Sequence, residues 1–273
     1  MSLISSTFIG SVKITCLRDG EKSLSPAVLS NLSPSDNKTI IKNQERACHT
    51  NFNAFLIQNG SKNLLVDTGC RDLSGLSCGF LLNALEEAGV KPPEITDLFL
   101  THMHPDHIAG AIDIEGSPVF KNATLKVTKN DFYFWQRDDF ANEPVNGIQS
   151  ADLAKSVFSA YDGQLETLSP EDDIISGVNV LDLPGHTPGH SGFRIENSGN
   201  LFIHMGDILH VPNLQLANPN ISVVFDTDPE VALKTRKTVF DMICSDKILC
   251  SGGHIISPRF GYLERSGRGY RFI

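Results

Sequence analysis

The chain has no apolar run approaching the roughly 20 residues that a helix needs to cross a bilayer, and its start, "MSLISSTFIGSVKITCLRDG", lacks the basic and apolar regions of a secretory leader. A soluble, cytoplasmic chain with no membrane partner is the expectation. Positive charge is also scarce: 23 Lys and Arg stand against 32 Asp and Glu, a formal net charge of −9. Nucleic acid is excluded as the main partner because phosphate binding relies on clustered basic side chains, and a small-molecule substrate fits better. Six cysteines form no CxxC pair and no regular framework, so they read as reduced, mostly buried small hydrophobes. There is one tryptophan, no short-period repeat and no clear linker, and only Ser25 to Lys38 is polar enough to read as a long loop.

With 273 residues, 40% of them hydrophobic, the chain can bury a large core, and residues 1–273 read as one domain. Short strand-like runs, "SVKITCL", "NAFLIQ", "KNLLVDTG" and "ITDLFLTH", fill the first half, with a helix at "GFLLNALEEAGV". The pattern then recurs. Strands at "ATLKVT", "VNVLDLPG", "SGFRIEN" and "NLFIHMGD" alternate with helices at "KNDFYFWQR", "ADLAKSVFSAY" and after "DTDPEVALKTRKTVF", where Asp228 caps and Pro229 opens the last. Two packed mixed sheets covered by helices, a four-layered αββα sandwich, is the predicted α/β (α+β) fold.

The chemistry concentrates in "THMHPDHIAG", where His102, His104, Asp106 and His107 occupy six positions after an apolar run. Imidazole and carboxylate are the usual ligands of zinc and its first-row neighbours, and a catalytic site keeps one position for water. Four local ligands exceed what one open tetrahedral ion uses, so they point to two metals side by side, each needing further ligands. Three later sites supply candidates: His186 in "LPGHTPGH", Asp207 in "FIHMGD" and His254 in "SGGHIISP". Each follows an apolar run and lies beside glycine, where backbone can approach a metal closely.

HxHxDH followed by a Gly-His, a Gly-Asp and a final Gly-His resembles the signature of the metallo-β-lactamase superfamily. The resemblance implies one metal on His102, His104 and His186, a second on Asp106, His107 and His254, and Asp207 bridging them together with a shared water or hydroxide. It also implies two zinc ions, with manganese, cobalt or iron as substitutes. Asp67 in "LVDTG" matches a carboxylate that orients a ligand histidine, and its alternative role is to cap a turn. His49 and His204 read as ordinary surface or packing residues, and His190 as a brace of its loop. His210, three residues beyond Asp207, either faces the cavity or is a plain loop residue. Asp106, Asp207 and His210 are the residues expected to act in catalysis.

Within the superfamily the classical β-lactamases have cysteine where this chain has Asp207. Processing ribonucleases need a basic RNA-binding arm, and glyoxalase II enzymes carry a helical domain for which the stretch after His254 leaves no room. "FIGSVKITCLRDG", "KNDFYFW", "HTPGHS", "GDILHV" and "SGRGYRF" are similar to the methyl parathion hydrolase group and its lactonase relatives, which are often homodimers. That likeness implies hydrolysis of lactones, aryl esters or organophosphate triesters by a metal-bridging hydroxide, acyl-homoserine lactones included. The chain departs from the organophosphatase in having His210 where that enzyme has an aliphatic residue, with bulky Val223 and Phe225 nearby, which reduces organophosphate triesters to a side activity at most. It places Phe134, Trp135, Val223 and Phe225 at the substrate pocket, with Phe132 beside them. Two other classes stand against it: an iron-dependent persulfide dioxygenase and a non-catalytic metal-binding module.

Overall fold

A computed structural model describes residues 2–140, 147–257 and 259–273. Two mixed sheets form its centre. In the seven-stranded sheet, Ile4–Ile9, Val12–Ser23, His49–Asn59 and Lys62–Val66 run antiparallel, and Lys62–Val66, Asp97–Phe99, Thr124–Thr128 and Leu165–Leu168 continue in parallel. The five-stranded sheet orders Leu249–Ser251, Asn200–His204, Ser191–Asn197, Val178–Asp182 and Asp173–Ile175, with only its first pair parallel.

Period-two alternation explains how both faces of one strand become interior. In His49–Asn59, Phe55 and Ile57 point into the core shared with the second sheet, where Phe193, Ile195 and Phe202 meet them. Ala54 and Leu56, on the opposite face, pack beneath the helices Leu81–Glu87 and Gly147–Ala160. The second sheet's outer face is covered by the helix Pro229–Asp246, which presents Val239, Phe240 and Ile243 to Leu183 and Ile203 at helical spacing. Helix, sheet, sheet and helix thus give the four layers expected. Asp228 accepts a hydrogen bond from Val231 N and Pro229 occupies the first turn, as the start signal predicts.

Ser25 to Lys38 departs from the expected loop. It contains the turn Pro26–Val28, a short strand Leu29–Ser30 paired with Ser222–Val223, and the beginning of a helix, Pro34–Lys42. The reason is local: Ser33 Oγ accepts from Asp36 N at 3.2 Å while Asp36 Oδ2 accepts from Ser33 N at 2.8 Å. This reciprocal cap opens a helix in a polar segment. All six cysteines are free, five of them buried. Among the described residues, no helix is long and apolar enough to cross a membrane.

Candidate metal centre

Every candidate ligand lies just past the end of a strand. His102 and His104 follow Asp97–Phe99, and the short helix Pro105–Ile108 brings Asp106 and His107 back toward them. His186 follows Val178–Asp182, Asp207 follows Asn200–His204, and His254 follows Leu249–Ser251. Cross-sheet hydrogen bonds lock these loops together. Ser191 N and Oγ both donate to Thr101 O at 3.0 Å, and Asn53 N donates to Gly253 O at 2.9 Å. Glycine is needed where the loops touch: a Cβ on Gly253 would lie 2.5 Å from Asp207 Oδ1.

The result is one cluster with two halves. His102 Nε2 lies 3.1 Å from His104 Nδ1, which lies 2.9 Å from His186 Nε2. Asp207 Oδ2 lies 2.9 Å from both His107 Nε2 and His254 Nε2, and Asp106 Oδ2 is 3.5 Å from the former and 3.7 Å from the latter. Asp207 also reaches toward the other half, 3.8 Å from His102 Nε2 and from His186 Nε2.

The outer nitrogens determine what the inner ones can do. His107 Nδ1 meets Asp67 Oδ2 at 2.8 Å, His186 Nδ1 meets Asp226 Oδ1 at 2.9 Å, and His254 Nδ1 meets Asn51 O at 2.7 Å. Carboxylate and carbonyl oxygens only accept, so these three rings carry a proton on Nδ1. Thr101 Oγ1 spends its one proton on Asp67 and therefore accepts from His102 Nδ1 at 3.1 Å. In their neutral forms all four rings turn a bare Nε2 lone pair inward, the arrangement in which imidazole binds a cation. His107 Nε2 and Asp207 Oδ1 are buried without a hydrogen-bond partner, although His107 Nε2 is close to Asp207 Oδ2; the angle, not the distance, is wrong for a hydrogen bond. Nitrogen and carboxylate donors aimed at common points fit first-row divalent cations. His102, His104 and His186 have the spacing to hold one, and so do Asp106, His107, Asp207 and His254.

Protonation differs between the halves. Burial and the surrounding imidazoles hold His102 and His104 well below the usual histidine range. Burial would do the same to His107, but the carboxylates of Asp207, Asp106 and Asp67 outweigh it and hold this ring well above that range. Asp106 is drawn down to about 2 against its burial by His107 and His254.

Asp67 contacts His107 Nδ1 from a left-handed backbone (φ 60°) while accepting Thr101 N at 2.9 Å. Such strain in a residue with a Cβ is retained only where the surroundings hold it. His190 braces more than its own loop, because Nδ1 meets Leu183 O at 2.7 Å and Nε2 accepts from Asp207 N at 2.8 Å. His204 is a packing residue, stacked on Phe193 at 4.8 Å and buried. His210 faces the cavity, its ring 4.7 Å from His186 and 4.9 Å from His254.

The cluster forms the floor of a cavity of about 620 Å³ whose walls include Leu24, Phe52, Phe134, Trp135, Phe225 and His210. Val223 is a correction. It pairs with Leu29 and packs with Val211, Leu214 and Ile221 in a small separate core, away from the cavity lining. Phe132 likewise packs on Phe158 at 4.9 Å and does not line the cavity. Two buried carboxylates are absent from the sequence expectation: Asp226, which holds His186, and Asp131, which burial lifts to about 6 against the hydrogen bonds it accepts. Each is a single acidic residue outside any ligand motif, and only its distance from the site marks it.

Residues 51–254 match the metallo-beta-lactamase superfamily. The chain belongs to this superfamily. An N-acyl homoserine lactonase of Bacillus thuringiensis is 24% identical over 179 residues, which are 64% of this chain and 62% of that protein, so the chain spans less than two thirds of the length of this relative. Among solved structures, a hydrolase of the beta lactamase superfamily called AbOPH shares 28% identity at a TM-score of 0.92, covering 100% of this chain and 97% of that one. AidC, a dizinc quorum-quenching lactonase solved with a product, shares 27% identity at a TM-score of 0.90 with the same coverage of 100% and 97%.

Proposed function

We propose that this member of the superfamily is a dinuclear metal-dependent hydrolase that opens lactones or cleaves aryl esters bearing an apolar acyl group. The observation that carries the reading is the convergence of seven nitrogen and carboxylate donors, five of which (His104, Asp106, His186, Asp207 and His254) line the floor of a largely apolar cavity. His102, His104 and His186 would hold one cation and Asp106, His107 and His254 the other, with Asp207 within reach of both groups. When bound, such a pair supplies a nucleophilic water near neutral pH and a Lewis acid for the scissile carbonyl.

The chain's own groups do the rest. Phe134, Trp135 and Phe225 bury the acyl part and exclude bulk water. Asp106 has 27% of its side chain exposed, so its carboxylate is available to hydrogen-bond and orient the attacking water. Burial holds His210 well below the usual histidine range, so it is a neutral ring with one N–H to give. On Nε2 that proton meets the substrate oxygen as charge develops, a contact worth more in the transition state than before it.

The lactonases among the relatives favour zinc as the first metal and N-acyl homoserine lactones as the first substrates to test, and His210 and Phe225 in the wall leave phosphotriesters as a side activity. Protein loaded with two equivalents of zinc is assayed against N-acyl homoserine lactones, aryl lactones, aryl esters and a methyl phosphotriester. Lactone or ester turnover well above that of the phosphotriester is the expected result. Two bound metals with no turnover of any lactone or ester would overturn the reading, and one bound iron with oxidation of a persulfide would replace it.

A further inference from the structure

Asp131 belongs to neither cluster of ligands, yet it touches the frame of one of them. It lies in the first turn of the helix Lys129–Trp135 and is fully buried. Its carboxylate accepts four hydrogen bonds from four separate residues. Oδ2 takes Met103 N at 3.0 Å and Trp135 Nε1 at 3.2 Å. Oδ1 takes Thr187 Oγ1 at 2.5 Å and Gly189 N at 3.2 Å. A parallel tie runs beside it, since Thr128 Oγ1 donates to Gly189 O at 2.7 Å. The approach is so close that a Cβ on Gly189 would lie 2.1 Å from Asp131 N.

The partners are what give this carboxylate a role. Met103 separates His102 from His104, and Thr187 follows His186. Trp135 stands edge-on to His104 with ring centroids 5.7 Å apart and forms part of the cavity wall. No other carboxylate reaches these three segments together among the hydrogen bonds described. We propose that Asp131 is the positioning residue of the His102, His104 and His186 half-site, setting the spacing of its imidazoles and holding Trp135 against His104. One buried group thereby couples metal affinity in that half to the shape of the substrate wall.

The inference rests on the dinuclear reading, and Asp131→Asn tests it separately. An amide presents one oxygen and one NH2 group, so in either orientation it sets N–H against N–H on one side. The readouts are zinc affinity by competition with a chelating dye and the emission of Trp135, the only tryptophan. In the wild-type protein two equivalents bind, and one of them changes the emission. In Asp131→Asn that equivalent weakens about ten- to a hundredfold, the usual loss when a ligand's supporting partner is removed, while the other stays within about threefold.

A general loss of packing would weaken both equivalents equally, and that result overturns the proposal, as would unchanged affinity for both. Thr187→Val removes one donor without creating a repulsion, and it decides the matter if Asp131→Asn does not fold. A loss of about two- to tenfold confined to the emission-linked equivalent supports the role. No loss, or an equal loss in both, overturns it. Fewer than two equivalents in the wild-type protein would remove the dinuclear reading itself, and this inference with it.

Discussion

His102, His104 and His186 contain no carboxylate of their own, whereas His107 and His254 share their half of the site with Asp106 and Asp207. Distance separates the halves as well. Asp207 Oδ2 stands 2.9 Å from the nearest histidine nitrogens of the second half but 3.8 Å from those of the first. The second half would attract a cation by charge, and charge acts over distance and tolerates small errors of position. The first half would bind through imidazole lone pairs, which do so only when they are aimed well. Its geometry is held from outside by Thr101 on His102, Asp226 on His186 and Asp131 on the loops between, as Asp67 and Asn51 O hold His107 and His254 in the other half.

The largest test breaks both halves together. Asp207→Ala removes the one group they share, so both metals are lost and turnover falls by on the order of a thousandfold, since metal-borne charge stabilisation is worth several kcal/mol. Metal analysis and kcat/KM check it, and retention of two metals with full activity would show that Asp207 is no bridge. Next, the halves can be separated by their supports. Asp226→Asn weakens one metal equivalent and Asp67→Asn the other, each by roughly ten- to a hundredfold. Parallel loss of both equivalents in either variant, measured by chelator competition, would deny the division.

His210→Leu asks whether the wall next to both halves is chemical or only structural. Losing one positioned hydrogen bond of about 1.5–3 kcal/mol lowers kcat/KM for an aryl lactone about ten- to a hundredfold, with metal content unchanged. The wider apolar space raises the rate for a methyl phosphotriester at the same time. If both rates fall together, His210 is supporting the metals. The smallest effects come from two neighbours on one stretch. Val223→Ala costs about 1–2 kcal/mol in thermal unfolding and leaves KM unaltered, because its side chain packs in the satellite core. Phe225→Ala raises KM several-fold, because its ring lines the cavity, and also costs some stability, because the ring packs against the edge of the same small core.

Much of this was legible before folding. Local spacing marked the four candidate donors of "THMHPDHIAG", and the Gly-His and Gly-Asp signals after apolar runs marked His186, Asp207 and His254 as candidates that the fold brings to the same place, because a close-packed cluster imposes its demands on adjacent residues. Alternating apolar runs likewise revealed most strands. Ser25 to Lys38 folds otherwise than its polarity suggests, although the Ser33 and Asp36 cap is written in it, because the segment's polarity masks a helix that buries little beyond Ile40. Val223 and Phe225 two residues apart suggest one face, but the strand ends at Val223, and a turn with Asp226 N donating to Val223 O at 3.2 Å leaves Phe225 at the edge of that small core, where it also lines the cavity.

What the sequence determined by itself is the identity of the donors, the strand and helix periods and hence the layers, since these follow from neighbours along the chain. What only the tertiary structure decided is which nitrogen of each ring faces inward, which walls form the cavity, and which buried carboxylates hold the ligands in place. Asp131 meets Met103 across 28 positions and Thr187 across 56, and Asp226 meets His186 across 40. A hydrogen bond closed over such separations leaves no local pattern in the chain, because its geometry exists only after two sheets have packed and brought the strand ends to one place.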